Sequence, residues 1–355
     1  ATGRPWDLLA WGFLWGGERN ASLKTAVQLE QEAAIVLSQG GAFQVYYQPT
    51  RSGYVSEMII DVLGETADFC RARRAVSHRS TSVPQVALLF SAADQFDRSD
   101  AVFTPSGTTA ELEGALHALC ELHYSVDVLA EHQLQPRLRE YPLVVIADSV
   151  RLPDDLKQAL TEYVNSGGSL LLLGEKCARL FEPILGVRFE GPPQHVAGEL
   201  PFFPTMVNVT GVWQAVVPTT ADSAWYRYPT RDTRKDGQVA ATVASHGRGK
   251  VAAVFGPVAA QFGQSHHPAL RQFIGGLAVQ LFPHPAVEVD APPFVDVALR
   301  RTRDGRPVLH LVNLANQPMG SRDVVDVIPP VGPIHIRWRV SEKPTASDYD
   351  KVFRQ

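Results

Sequence analysis

Short apolar runs alternate with amphipathic stretches over most of the chain, and this alternation predicts most of its elements. Asp7 to Phe13 reads as a strand, followed by a Trp15-Gly16-Gly17 loop. Apolar positions at Val27, Leu29, Ala33, Ala34 and Leu37 predict a helix over 22–38, with Ser22 as N-cap and Gly40-Gly41 as its stop. Ala42 to Tyr47 reads as a second strand and Met58 to Arg73 as a second amphipathic helix. Two strand–helix units in series imply parallel strands, and two parallel strands do not make a stable sheet alone. The polar stretch His78 to Ser82 predicts a domain boundary.

From Pro84 the strands become continuous apolar runs: Val86 to Phe90, Val126 to Leu129, Leu143 to Ala147 and Ser169 to Leu173. Helices are predicted between them at 110–123 and 153–165. Such runs, alternating with helices, indicate an α/β sheet covered on both faces. Residues 189–243 read as an insertion of β character, 249–255 returns to a buried strand, and Pro268 to Leu281 forms a last helix. Beyond Pro285 the pattern changes to strict alternation at Val295, Val297 and Leu299, then Val308, His310, Val312 and Leu314. The Asp304-Gly305 turn between the two runs is a hairpin signal. This last segment reads as the start of a β-sandwich.

Composition adds exclusions. The chain has 355 residues, 45% hydrophobic and 20% charged, which is ordinary for a globular protein. A formal net charge of −4 gives no reason to expect nucleic acid or an anionic membrane as partner. Cys70, Cys120 and Cys177 are odd in number and widely spaced, against a disulfide scaffold or a cysteine zinc site, and fit a reducing compartment such as the cytoplasm. No apolar run spans a membrane. The chain opens on an apolar strand without an initiator Met and stops on a polar stretch, Ser347 to Gln355, so both ends read as cut through domains.

The residues also carry a resemblance. Trp6-Asp7, Trp11-Gly12, Gln28-Leu29-Glu30, Gly40-Gly41, Gly53 and Leu63-Gly64 make residues 1–80 similar to the last two βα units of an α-L-fucosidase-like (β/α)8 barrel. The Val86–Phe90 strand, Tyr141-Pro142-Leu143-Val144-Val145 and Tyr163 to Leu171 make residues 84–284 resemble the trimerisation domain of family 42 β-galactosidases. That domain is a flavodoxin-like, class I glutamine amidotransferase-like fold. Residues 285–355, with His310-Leu311-Val312-Asn313-Leu314, resemble the β-sandwich that follows it, here truncated. The resemblance implies a glycoside hydrolase acting on carbohydrate, assembled as a homo-oligomer (a trimer), whose catalytic carboxylates lie on barrel strands upstream of Ala1. The chain alone would then be inactive.

Glycoside hydrolysis needs two carboxyl groups about 5–5.5 Å or about 6.5–9.5 Å apart, at strand C-termini in a barrel. Neither N-terminal strand ends in Asp or Glu. Asp7 starts its strand, Glu30 and Glu32 read as a solvated helix face, and Glu18 is an acidic loop residue. Trp11, Trp15, Gln44, Tyr46 and Gln48 are the candidates for sugar contact, because aromatic faces stack on pyranose C–H faces and amides pair with hydroxyls. The alternative is that Trp11 and Tyr46 only fill a barrel interior.

Three functional classes compete: a hydrolase fragment, a non-catalytic carbohydrate-binding or assembly protein, and a cysteine amidotransferase-like enzyme. The last would use Cys177 beside Lys176, but the Gly174-Glu175-Lys176-Cys177-Ala178 elbow lacks a glycine after the cysteine. His266-His267 reads as a surface pair, and His195, His246 and His310 stand alone. Gly247-Arg248-Gly249-Lys250 reads as a hairpin turn because it precedes its strand. No metal and no cofactor is expected.

Overall fold

The computed structural model describes residues 5–14, 22–98, 109–147, 149–202, 204–316 and 323–339. β1 (Asp7–Trp11) comes first, followed by an antiparallel pair of short strands, β2 (Phe13–Leu14) and β3 (Ser22–Leu23). Then come α1 (Ala26–Ser38), β4 (Ala42–Tyr46) and α2 (Glu57–Ser77). The expected helix start at Ser22 is corrected. Ser22 pairs with Leu14, and Thr25, directly before the helical run, is the N-cap, its hydroxyl accepting from the Gln28 N–H at 3.1 Å.

β1 and β4 form a two-stranded parallel sheet in which Leu9 lies beside Gln44 and Trp11 beside Tyr46. On the helix-covered side, Phe43 packs on Ala33 and Leu37 of α1 and Phe69 of α2. The solvated face expected for Glu30 and Glu32 is also corrected. Glu32 accepts from Lys24 at 2.7 and 3.0 Å. Burial raises the Glu30 carboxyl above its ordinary value, against the opposing pull of Arg73. The reason is that α1 is enclosed: Gln31 donates to the carbonyls of Asn313 and Ala315, and Gln28 accepts from the Val325 N–H, so a second face of the helix is taken up by the C-terminal strands.

The middle of the chain gives β5 (Thr81–Ser82), β6 (Val86–Phe90), α3 (Ala92–Arg98), α4 (Ala110–Glu121), β7 (Val126–Ala130), α5 (Glu131–Leu134), β8 (Leu143–Ala147), α6 (Asp154–Asn165), β9 (Ser169–Leu173) and α7 (Glu175–Leu180). A long hairpin of β10 (Val187–Phe202) and β11 (Thr205–Pro218) follows, then β12 (Asp222–Arg227), β13 (Gln238–His246), β14 (Gly249–Val254), α8 (Val258–Ser265) and α9 (Pro268–Leu281). One seven-stranded sheet runs β12-β13-β14-β9-β8-β6-β7. Its parallel strands, numbered by their own sequence order, lie 2-1-3-4-5, a doubly wound arrangement.

The continuous apolar runs follow from that position. Val86 and Leu88 face one core with α4, α8 and α9, while Ala87 and Leu89 face another with α6 and α7. α4 and α8 touch at Gly114, where a Cβ would stand 1.9 Å from the Ala259 carbonyl oxygen. Residues 189–243, read as an insertion of β character, hold the β10–β11 hairpin, which stands apart, and β12 and most of β13, which extend the main sheet antiparallel.

The C-terminal strands are β15 (Val287–Asp290), β16 (Val295–Arg301), β17 (Pro307–Asn313) and β18 (His335–Trp338), in sheets β17-β16-β5 and β15-β18. The loop expected at His78 to Ser82 is corrected in part, because Thr81 and Ser82 pair with Arg301 and Arg300. Arg300, 4% exposed, fixes this junction by donating to the Ser80 carbonyl at 2.7 Å and its hydroxyl at 3.3 Å.

Candidate functional site

In a strand, alternate side chains share a face. On β1 and β4 this puts Asp7, Leu9, Trp11, Gln44 and Tyr46 on the side away from α1 and α2, and all five are exposed. Trp11 and Tyr46 end their strands side by side, at 48% and 43% exposure. Phe13 completes an aromatic group, its ring centre 5.3 Å from Trp11 and 6.0 Å from Tyr46. The Gln44 amide donates to the Asp7 carboxylate. Gln48 lies exposed two residues beyond Tyr46, and Trp15 and Glu18 lie outside the described residues.

Of the sequence candidates, Trp11, Gln44 and Tyr46 therefore stand together. Asp7, weighed only as a catalytic carboxylate, joins them as the partner of Gln44, and Phe13 joins them as a third ring. Strand parity was enough to place Asp7 with Gln44, whereas Phe13 approaches through the break at Gly12. The arrangement offers a stacking surface and an amide, with no carboxylate pair at the strand ends among the described residues. Leu9 adds an exposed apolar side chain to the same face.

The other candidates have structural settings. Cys177 is fully buried in α7, its thiol turned back on the carbonyls of Gly174 and Ile146, so it does not meet a substrate. His266 Nδ1 lies 2.5 Å from Glu121, which also binds Arg271, and His267 caps α9 by accepting from the Ala269 N–H. His195 ends up exposed on β10, and His246 closes β13 before the Gly247-Arg248 turn. No group of three metal-ligating side chains occurs among the described residues.

Open α/β sheets bind ligands outside the strand C-termini where strand order reverses, here between β6 and β8. Two of the chain's own carboxylates take up donors there. Asp94 accepts from the N–H groups of Val150 and Arg151 at 2.7 and 3.2 Å. Glu131 accepts from the Ser91 hydroxyl and from the N–H groups of Ala92 and Ala93. Burial pushes the Glu131 carboxyl up, but these bonds outweigh it and hold it below its ordinary value. An incoming phosphate would find those donors occupied.

Comparison with known proteins places this geometry. No family model matches the sequence, and no curated protein matches it. Solved structures do. α-L-Fucosidase isoenzyme 2 from Paenibacillus thiaminolyticus superposes with a TM-score of 0.78 at 15% identity, over 96% of this chain and 55% of its own. A cold-adapted β-galactosidase from Rahnella sp. R3 gives 0.68 at 16% identity, over 88% of this chain and 50% of its own. A GH42 β-galactosidase from G. stearothermophilus gives 0.64 at 13%, over 85% and 47%. The fold is one shared with glycoside hydrolases. The chain spans about half the length of each of these neighbours. Among the described residues no helix is long and apolar enough to cross a membrane.

Proposed function

We propose that this chain is the C-terminal part of a glycoside hydrolase, with residues 1–80 forming the last two βα units of its (β/α)8 barrel. The observation that carries the reading is the exposed inner face of β1 and β4. Parallel strands are ordinarily buried on both faces, yet here Leu9, Trp11 and Tyr46 stand open on one of them. Further barrel strands on either side would cover the edges and leave Trp11, Tyr46, Gln44, Gln48 and Trp15 along the substrate wall. The superposition on the fucosidase supports this, because its 96% coverage leaves little of the chain outside the match, while the neighbour extends well beyond it.

In this reading the catalytic carboxylates come from strands outside the chain. The seven-stranded unit supplies a rigid support and a surface for self-association, with a homotrimer as the assembly to test. The test is hydrolysis of a panel of aryl glycosides, including α-L-fucoside and β-galactoside, by the 355-residue chain and by the full product of its gene. Turnover is expected from the full product only, with KM raised in Trp11→Ala. A full product that binds sugars without turnover would instead favour a carbohydrate-binding or assembly protein. Turnover by the chain alone would refute the placement of the carboxylates.

A further inference from the structure

Charge is unevenly spread along the chain. Residues 71–79 and 300–306 hold eight arginines, no lysine and one acid, Asp304, although acidic residues outnumber basic ones 37 to 33 overall. The fold brings the two segments together. Thr81 pairs with Arg301 and Ser82 with Arg300 in an antiparallel ladder, so residues 79 and 303 leave that ladder at the same end. Several of the arginines are taken up. Arg300 donates to Ser80, and Arg73 lies over the Phe69 ring at 3.4 Å. Arg71 pairs with Asp68 and Arg306 with Asp304. Arg74, Arg79 and Arg303 are exposed, and no carboxylate among the described residues pairs with them.

Two of the three stand on fixed backbone. In the β16–β17 turn the Thr302 N–H donates to the Arg306 carbonyl at 2.8 Å, and the Arg306 N–H to the Thr302 hydroxyl at 3.0 Å, which holds Arg303 between them. Arg79, two residues past the end of α2, has a φ of 57°. Glycine or asparagine ordinarily takes that left-handed position, because a Cβ is disfavoured there. The arginine is kept at a cost to stability. Arg74 complements the negative end of α2, a role that Arg303, on a separate hairpin, does not share. Guanidinium forks fit oxyanion groups with paired hydrogen bonds. Neither segment holds a Phe, Tyr or Trp on which bases could stack, and a net charge of −4 opposes a long duplex. We propose that Arg74, Arg79 and Arg303 form a surface site for an acidic polysaccharide, which they grip by carboxylate or sulfate groups spaced along the sugar chain. The choice of carbohydrate rests on the hydrolase reading; the oxyanion chemistry does not.

The test measures binding of the 355-residue protein to immobilised polygalacturonate, dextran sulfate, neutral dextran and a short DNA duplex, at about 150 mM salt to screen weak surface attraction. Saturable binding to an acidic glycan is expected, with none to neutral dextran and less to the duplex. The tighter of the two acidic glycans tells carboxylate from sulfate. Arg79→Gly is the deciding variant: it relieves the left-handed backbone, so the urea midpoint should rise while glycan affinity falls about three-fold. Arg74→Gln/Arg79→Gly/Arg303→Gln should lose about ten-fold or more. No binding to either acidic glycan, tighter binding to the duplex, or a triple variant that binds like the wild type would overturn the proposal. Binding is read without turnover, so a failure of the hydrolase reading in the glycoside panel is a separate result.

Discussion

His310 gives the structure a measurable pH signature. It lies on β17 with its ring partly buried and its Nε2 without a partner. Burial, then the charge of Arg300, pulls its pKa from 6.5 to about 4, against a weaker opposing bond to the backbone of Val76. The unfolded chain takes up a proton near the ordinary histidine value, whereas the folded protein resists until about pH 4. Stability is therefore complete above about pH 6.5 and is lost as the pH falls to about 4. Two and a half units at about 1.4 kcal/mol each amount to roughly 3 kcal/mol. Carboxylates such as Glu131 lose stability in the same direction, so the contribution must be read against a variant. Urea unfolding of the wild type and His310→Met, compared between about pH 7.5 and about pH 4.5, isolates it. The wild type should lose roughly 2.5 kcal/mol more than the variant over that range, since the fold's own histidine begins to protonate before the lower end is reached. Parallel curves would show that His310 is protonated in the fold, and the assignment of its environment would fail.

Two glycines should respond in opposite directions. Gly114→Ala forces a methyl into the Ala259 carbonyl and should destabilise by about 3 kcal/mol, the upper end for overpacking. Gly64→Ala, inside α2 with open space around it, should stabilise by about 0.5–1 kcal/mol; chemical denaturation checks both. Thiol titration with Ellman's reagent gives a further check, because burial pushes the Cys120 thiol up to about 12 and also raises Cys70, while Cys177 is fully enclosed. Cys120 and Cys177 should not react in the native protein at neutral pH, Cys70 should react slowly, and all three should react in urea. Fast native reaction of Cys177 would reopen the amidotransferase-like reading.

What could be read in the sequence was local. The boundaries of α9 follow from Pro268 and the helical period, and the β16–β17 hairpin from Asp304-Gly305. The buried strands β6, β8 and β9 follow from unbroken apolar runs, because both faces are covered. Long-range pairing was not legible. Nothing in the alternation of residues 222–246 says which sheet they join, and Thr81 finds Arg301 across more than two hundred residues. At the site, residue type pointed to Trp11, Gln44 and Tyr46, and strand parity brings them together. That Gln44 is held by Asp7 depends on the strand register.

Whether β1 and β4 belong to a larger barrel can be read from the coding DNA upstream of Ala1. An open frame is expected to continue through about six further βα units, enough to complete a barrel of eight, with an Asp or Glu at the end of the fourth strand. A start codon immediately before Ala1 would contradict it and leave β1 and β4 as an open two-stranded sheet in a binding or assembly protein.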